Sequence, residues 1–456
     1  MKNKKILLSI VALILVCFTL SSCMLFPFDF PGFTSQSSDT NTSTNSNLQT
    51  DNDLSPDTPI EGVSLSSAYI NENGELILVY TNGQIQNLGV VVGSDGKDGV
   101  ASGSIDVNIT GNGADVGLAV SKAIRSAVSV SCAFTTGSLF NSSTSYSSGS
   151  GVIYKLDKAT GDAFIITNFH VVYDEDSTSA NGISKDIKVY LYGAEYTDYA
   201  IPATYVGGSI NYDIAVLRVE DSKLLQDAAY CAATIGNSSK VYVGDNAIAI
   251  GNPEGEGISA TSGIVSVDSE RIVVNIGTDV ELRVIRIDAP INPGNSGGGL
   301  FNKNGELIGI VNAKTTGSDN IGYAIPSNVA VGVAQNIIDH CFGTRLDGVQ
   351  RPLMGITITT STSKLVYNEE GRVEIQEAII VDSVNSGSIA DGKIKKGDII
   401  KKIRIGDNEL TVTRQFHIID FMLNARVGDV VYTTVDRGGV EVVVEITITQ
   451  GCIANS

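Results

Sequence analysis

Three short segments carry side chains that together could break an amide bond. Thr167-Asn168-Phe169-His170-Val171-Val172 places a histidine just after an apolar strand. Asn211-Tyr212-Asp213-Ile214-Ala215-Val216-Leu217 places an aspartate just before one. Asn292-Pro293-Gly294-Asn295-Ser296-Gly297-Gly298 sets a serine in a turn too glycine-rich for a helix or a strand. A lone serine hydroxyl is a poor nucleophile at neutral pH. It needs a base to take its proton and a further group to orient that base. Taken singly, each segment has an ordinary reading as a loop, a packed histidine or a turn aspartate. Of the 3 histidines, His340 falls in a later helical stretch and His417 near the C-terminus. His170 alone precedes an aspartate and a serine in such settings.

The order His170, Asp213, Ser296, with intervals of 43 and 83 residues, is the chain order of the chymotrypsin-type proteases. Further segments make the likeness specific: Gly149-Ser150-Gly151-Val152-Ile153, the run Gly244 to Pro253, and Gly322-Tyr323-Ala324-Ile325-Pro326-Ser327. With the first three, in this order, the chain resembles the HtrA/Deg family of serine proteases over residues 118 to 450. The resemblance implies His170 as general base, Asp213 as its orienter and Ser296 as nucleophile. It implies the backbone N–H groups of Gly294 and Ser296 as an oxyanion hole, where a glycine lets the substrate carbonyl approach closely. It also implies Ile291 in the pocket for the side chain before the cleaved bond, and substrate pairing along Ile310, Val311, Asn312 and Ala313. Pro290 stands six residues before Ser296, where a preference for basic side chains would call for Asp, so small or medium aliphatic side chains are expected. Lys314 departs from the apolar residue common at its position.

The elements that must hold these residues read as mainly β. From about 118 to 346, short apolar runs recur between Gly, Asn and Asp turns, among them Gly151 to Tyr154, Ala163 to Thr167, Ile214 to Val219 and Ala247 to Ile250. That spacing suits antiparallel barrels or sandwiches. The resemblance sharpens it to a chymotrypsin-like double six-stranded β-barrel, closed by a helix over Val329 to Cys341. Residues 352–450 form a further unit of strands with one helix near Phe416 to Leu423. There Leu353-Met354-Gly355-Ile356 resembles the carboxylate-binding loop of PDZ domains, and Ala390 to Ile400 matches the family's pattern. A PDZ domain binding peptide C-termini is implied, its groove between the strand from Ile356 and the helix carrying Phe416, His417 and Asp420.

The N-terminal part is of another kind. Lys2, Lys4 and Lys5, a mostly apolar run to Leu20 and then Leu20-Ser21-Ser22-Cys23 read as a lipoprotein signal peptide over residues 1–22, with Cys23 lipidated. Residues 23–60 are a flexible tether rich in Ser, Thr and Asn. Residues 61–92 carry short β-runs divided by Asn73-Gly74 and Asn82-Gly83, the signature of a small hairpin module. Residues 93–117 are a Gly-rich linker. Cys132, Cys231, Cys341 and Cys452 allow three pairings, or none, and show no C-x-x-C spacing for zinc.

A net charge of −19 argues against nucleic acid. No cofactor or metal is called for. The expected partners are unfolded or misfolded exported proteins, peptide C-termini and the membrane through the lipid, with the protein held at the outer face of a bacterial cell membrane. The resemblance implies a homotrimer built through Leu118 to Phe134. The alternatives are a surface binding or scaffold lipoprotein with a vestigial protease, and a trypsin-like endopeptidase of different side-chain preference.

Overall fold

The computed structural model describes residues 65–70, 75–90, 116–138, 141–179, 181–195, 199–314, 320–344, 347–368 and 370–455. The predicted signal segment, Cys23, the 23–60 tether and most of the 93–117 linker lie outside them. The chain divides into two compact units, Met1–Val100 and Ala101–Ser456. In the first, β1 (Leu65–Ile70), β2 (Glu75–Tyr80) and β3 (Ile85–Val90) form an antiparallel meander. Between β2 and β3, Gly83 sits at φ 84° and its N–H donates to the Tyr80 carbonyl, a turn that the Asn82-Gly83 pair suits.

The second unit begins with α1 (Val116–Ala123) and then builds two closed barrels. The first consists of β4 (Ala127–Ser138), β5 (Asn141–Asp157), β6 (Asp162–Thr167), β7 (Asp186–Leu191), β8 (Ile201–Ser209) and β9 (Ile214–Val219), closed in the order β4-β5-β6-β9-β8-β7. A single turn of helix, α2 (Phe169–Val172), follows β6. The second barrel consists of β10 (Asn246–Gly251), β11 (Ser259–Asn275), β12 (Asp279–Ile287), β13 (Gly299–Phe301), β14 (Leu307–Lys314) and β15 (Gly322–Pro326), in the order β10-β11-β12-β15-β14-β13. The fold is the mainly β, chymotrypsin-like pair of six-stranded barrels expected from the sequence.

The apolar runs explain how the barrels join. Side chains alternate across a strand, so an unbroken apolar run must bury both faces. In β9, Ala215, Leu217 and Val219 fill the first barrel, while Ile214 and Val216 face the seam between barrels. In β10, Ala247 and Ala249 fill the second barrel, and Ile248 and Ile250 face the same seam. The helix α3 (Ser327–His340) closes this seam with Val329, Ala330, Val333, Ala334 and Ile337 at a spacing of three and four residues.

Beyond α3, β17 (Ile356–Tyr367), β18 (Val373–Val384), β19 (Ile399–Ile405), β21 (Val430–Arg437) and β22 (Val440–Thr447) form a sheet in that order, with β20 (Asn408–Thr411) beside β19. The short pair β16 (Gln350–Pro352) and β23 (Ile453–Asn455) joins the two ends of this part. Its helix α4 (Gln415–Met422) packs against α3 and β17, and its Phe416 and Asp420 side chains meet Arg283 of the second barrel. Among the described residues, four Arg–Asp pairs cross between these parts. They are Arg283–Asp420, Arg372–Asp245, Arg414–Asp268 at 2.7 Å and Arg426–Asp339 at 2.8 Å. The Arg283 guanidinium also lies 4.2 Å from the Phe416 ring centre. Burial pushes the Asp420 carboxyl up to about 6, against the pull of Arg283. Such a pair is worth little against apolar packing, but halving it strands a buried charge.

Two outcomes follow for chemical denaturation. Leu217→Ala, at a fully buried barrel position, lowers stability by about 2–5 kcal/mol, whereas Val443→Ala, at a position 61% exposed, changes it by less than about 0.5 kcal/mol. Arg283→Met leaves Asp420 unpaired and costs about 3–5 kcal/mol in the transition that reports the C-terminal sheet, while the double variant Arg283→Met with Asp420→Leu recovers most of that loss.

Candidate active site

The three sequence-predicted residues meet at the mouth of the seam, each delivered by a different device. The one-turn helix α2 turns the chain sharply out of β6 and presents His170. Asp213 caps a 3-10 turn over Ile210–Tyr212 and sits at φ 48°, a left-handed conformation that aspartate tolerates better than most residues. Its own carbonyl is held by the amide of buried Asn168 at 2.8 Å. The side chain is fully buried. One carboxylate oxygen accepts the His170 backbone N–H at 3.0 Å and the other meets His170 Nδ1 at 2.7 Å. Burial disfavours the charged imidazole, but the charge of Asp213 and its hydrogen bond outweigh that, so the His170 pKa is raised above its ordinary 6.5.

A donor from the second barrel completes the carboxylate shell. In β14 the pairing with β15 slips between Val311 and Ala313, so Asn312 is a bulged residue. A bulge re-aims a side chain. Here the Asn312 amide, which is buried, donates to the same Asp213 oxygen that meets the imidazole. The Asn312 carbonyl accepts the Ser296 hydroxyl at 2.9 Å. In the expectations from sequence Asn312 stood for substrate pairing alone; its contact with Asp213 was not legible, because it depends on a bulge that no residue type announces.

The turn around Ser296 is shaped by close backbone contacts. Gly294 has φ 96°, and a Cβ there would lie 2.3 Å from the Asn252 carbonyl oxygen. Gly297 has φ 85°, and its Cβ would lie 2.2 Å from the Ser150 carbonyl oxygen. The Pro293 carbonyl accepts the Glu254 N–H at 2.8 Å, and the Asn295 carbonyl accepts the Gly298 N–H at 2.9 Å. In a trans peptide the N–H points opposite to the C=O. The N–H groups of Gly294 and Ser296 are therefore turned away from those partners, and neither has a partner of its own among the described residues. Two unpaired donors side by side can receive a developing oxyanion.

A cavity of about 570 Å³ runs over these groups and is lined by His170, Asp213, Ile291, Ser296 and Asn312. Ile291 is buried and packs against Gly322, which gives the cavity an apolar wall. Ile310 and Val311 stand elsewhere. Their side chains are in the cores, and β14 is paired there with both β13 and β15. The edge of β14 open to another chain therefore starts at Asn312 rather than at Ile310. The side chain of Ala313 lies outside the described residues. Cys132, Cys231, Cys341 and Cys452 are all unpaired thiols.

In the C-terminal part, Leu353 is half exposed, Met354 is buried and Gly355 turns at φ 77° into Ile356 of β17. The N–H groups of Met354 and Gly355 have no partner among the described residues. The helix expected to border the groove lies beside β17. The Phe416 ring centre lies 4.2 Å from the Arg283 guanidinium and 5.0 Å from that of Arg414, and Asp420 pairs with Arg283. His417 is buried, and Thr413 N–H donates to its Nδ1 at 3.4 Å. Gln415 donates its amide to the Ile358 carbonyl at 3.3 Å.

Residues 149–310 match the trypsin-like peptidase domain family. The chain is similar to Serine protease Do-like HtrA of Lactococcus lactis subsp. cremoris, 33% identical over 64% of this chain and 68% of that protein. It is also similar to Serine protease Do-like HtrA of Bacillus subtilis, 34% identical over 69% of this chain and 68% of that protein. A third relative is Periplasmic pH-dependent serine endoprotease DegQ of Escherichia coli, 37% identical over 56% of this chain and 50% of that protein. Two closed barrels, a serine and a histidine at their shared mouth, and these relatives lead to one conclusion: the chain belongs to the HtrA family and is a serine endopeptidase.

Proposed function

We propose that the protein hydrolyses peptide bonds in unfolded or damaged exported proteins, with Ser296 as nucleophile, His170 as general base and Asp213 as its orienter. The observation that carries this reading is the 2.7 Å contact between His170 Nδ1 and the buried Asp213 carboxylate, beside Ser296 in one cavity. A proton held on Nδ1 by Asp213 leaves Nε2 as the basic nitrogen. The Ser296 hydroxyl, which rests on the Asn312 carbonyl, swings to Nε2 when a substrate strand takes that carbonyl with its own N–H. Ser296 Oγ then attacks the substrate carbonyl carbon as its proton passes to Nε2. The oxyanion forms against the N–H groups of Gly294 and Ser296. His170 returns the proton to the departing amine, and water, deprotonated in turn by His170, releases the acyl group from Ser296. Ile291 favours an aliphatic side chain before the cleaved bond.

The C-terminal part is read as a PDZ domain over 352–450 that captures a peptide carboxylate on the N–H groups around Met354 and Gly355. The relatives' names, two of them Do-like and one periplasmic, support export, and Leu20-Ser21-Ser22-Cys23 supports a lipid anchor at Cys23. A homotrimer built through Leu118 to Phe134 rests on the family likeness.

Casein hydrolysis by the full chain and by Ser296→Ala tests the catalytic assignment. The variant is expected to lose turnover by about a millionfold, with wild-type products ending in aliphatic residues. Cleavage retained in the variant would refute Ser296 as nucleophile, and no cleavage by either would favour the binding lipoprotein. Fluorescence anisotropy tests the second assignment: a peptide with a free apolar C-terminus binds the full chain, and its C-terminal amide does not. Equal binding of the two would remove the carboxylate loop from the account.

A further inference from the structure

Ser150 stands in the first barrel, on β5, yet its polar atoms are spent on the turn that carries Ser296 in the second. Its side chain is fully buried. Its hydroxyl donates to the Gly294 carbonyl at 2.7 Å and accepts the Asn252 N–H at 2.7 Å. Its N–H donates to the Ser296 carbonyl at 2.8 Å. Its carbonyl accepts the Thr167 hydroxyl at 2.7 Å, just before the His170 helix. Asn252 is itself fixed, through its amide to Ser129 at 2.6 Å and its side-chain oxygen from the Gly257 N–H at 2.7 Å.

We propose that Ser150 is a positioning residue for catalysis, a hydroxyl pin that locks the Gly294 peptide so that the oxyanion donors stay aimed at the cavity. The two peptide groups flanking Gly294 must keep their orientation for its N–H to face the substrate. The Glu254 N–H holds the first, through the Pro293 carbonyl; the second is held by the Ser150 hydroxyl on its carbonyl and, at 3.1 Å, by the Asn292 carbonyl on its N–H. Gly294 has no side chain to resist rotation, and glycine is the residue most free to flip. Without the hydroxyl, its carbonyl keeps no protein donor among the described residues, and the buried Asn252 N–H also loses its acceptor. A buried polar group left unpaired drives rearrangement toward a new partner. A rotation of the Gly294–Asn295 peptide, then resisted only by the Asn295 N–H on the Asn292 carbonyl, would disturb the backbone between the two oxyanion donors. Ser150 touches neither substrate nor His170, so it acts through the donor geometry and not through proton transfer.

The test compares the full chain with Ser150→Ala and Ser150→Thr on a casein-derived peptide that the wild type cleaves, with folded fraction set by thermal melting. Ser150→Ala should lower kcat by about 10- to 100-fold, KM should change by less than about twofold, and the acid limb of the pH profile should stay in place. Affinity for a peptide boronic acid, whose tetrahedral adduct uses the same donors, should fall in parallel with kcat. Ser150→Thr, which keeps the hydroxyl, should recover kcat to within a few fold. Should Ser150→Ala melt below the assay temperature, Ser150→Cys takes its place, since a thiol is a weaker donor of similar size and should lower kcat in the same direction. A kcat within twofold of wild type in folded Ser150→Ala or Ser150→Cys, a loss carried by KM, or a displaced acid limb would each overturn the proposal.

Discussion

The polar groups at the mouth of the two barrels converge on one buried carboxylate, that of Asp213. A carboxylate with no exposure is costly to bury unless its oxygens meet hydrogen-bond donors. Asp213 receives the backbone N–H and the ring nitrogen of His170 from the first barrel, and the amide of Asn312 from the second. That requirement ties the helix after β6, the turn before β9 and the bulge in β14 into one constellation. It also fixes the imidazole, since a ring held at Nδ1 has one nitrogen left for the serine.

The seam between the barrels supplies the rigidity this arrangement needs. Strands β9 and β10 each bury both faces, one in a barrel interior and the other against the neighbouring barrel. With close-packed side chains on either side, the polar groups above the seam cannot drift by the fraction of an ångström that catalysis punishes. The turn from Asn292 to Gly298 is then a backbone structure first. Its glycines are required where Asn252 and Ser150 approach within van der Waals contact, and its carbonyls are held from both barrels. The shape of the turn that carries Ser296 therefore depends on residues of both barrels that are distant in sequence.

Much of this was legible from residue types. The runs at Ala163 to Thr167, Ile214 to Val219 and Ala247 to Ile250 are strands within a residue or so, because buried strands advertise themselves by continuous apolar composition. The helices near Val329 and Phe416 are also present, as Ser327–His340 and Gln415–Met422. What escaped was polar or relational. Strand β5 extends back to Asn141 through a stretch of serine, threonine and glycine, stabilised by cross-strand pairing with β4 and not by any apolar pattern. The reason for glycine at 294 is a left-handed φ and a nearby carbonyl, in addition to substrate approach. The open edge of β14 begins at Asn312 because barrel closure uses both sides of Ile310 and Val311. The helix face carrying Phe416 and Asp420 belongs to an ionic contact with the second barrel, which depends on partners more than 100 residues away in the chain.

With 3 histidines in the chain, their titration by nuclear magnetic resonance reads the central interaction directly. His170 should titrate above 6.5, raised by Asp213, while His340 titrates below 6.5 and buried His417 at about 4. Asp213→Asn should bring the His170 value down and leave the other two in place. A His170 that titrates at or below 6.5, or that ignores the loss of the Asp213 charge, would contradict the claim that this buried carboxylate organises the site.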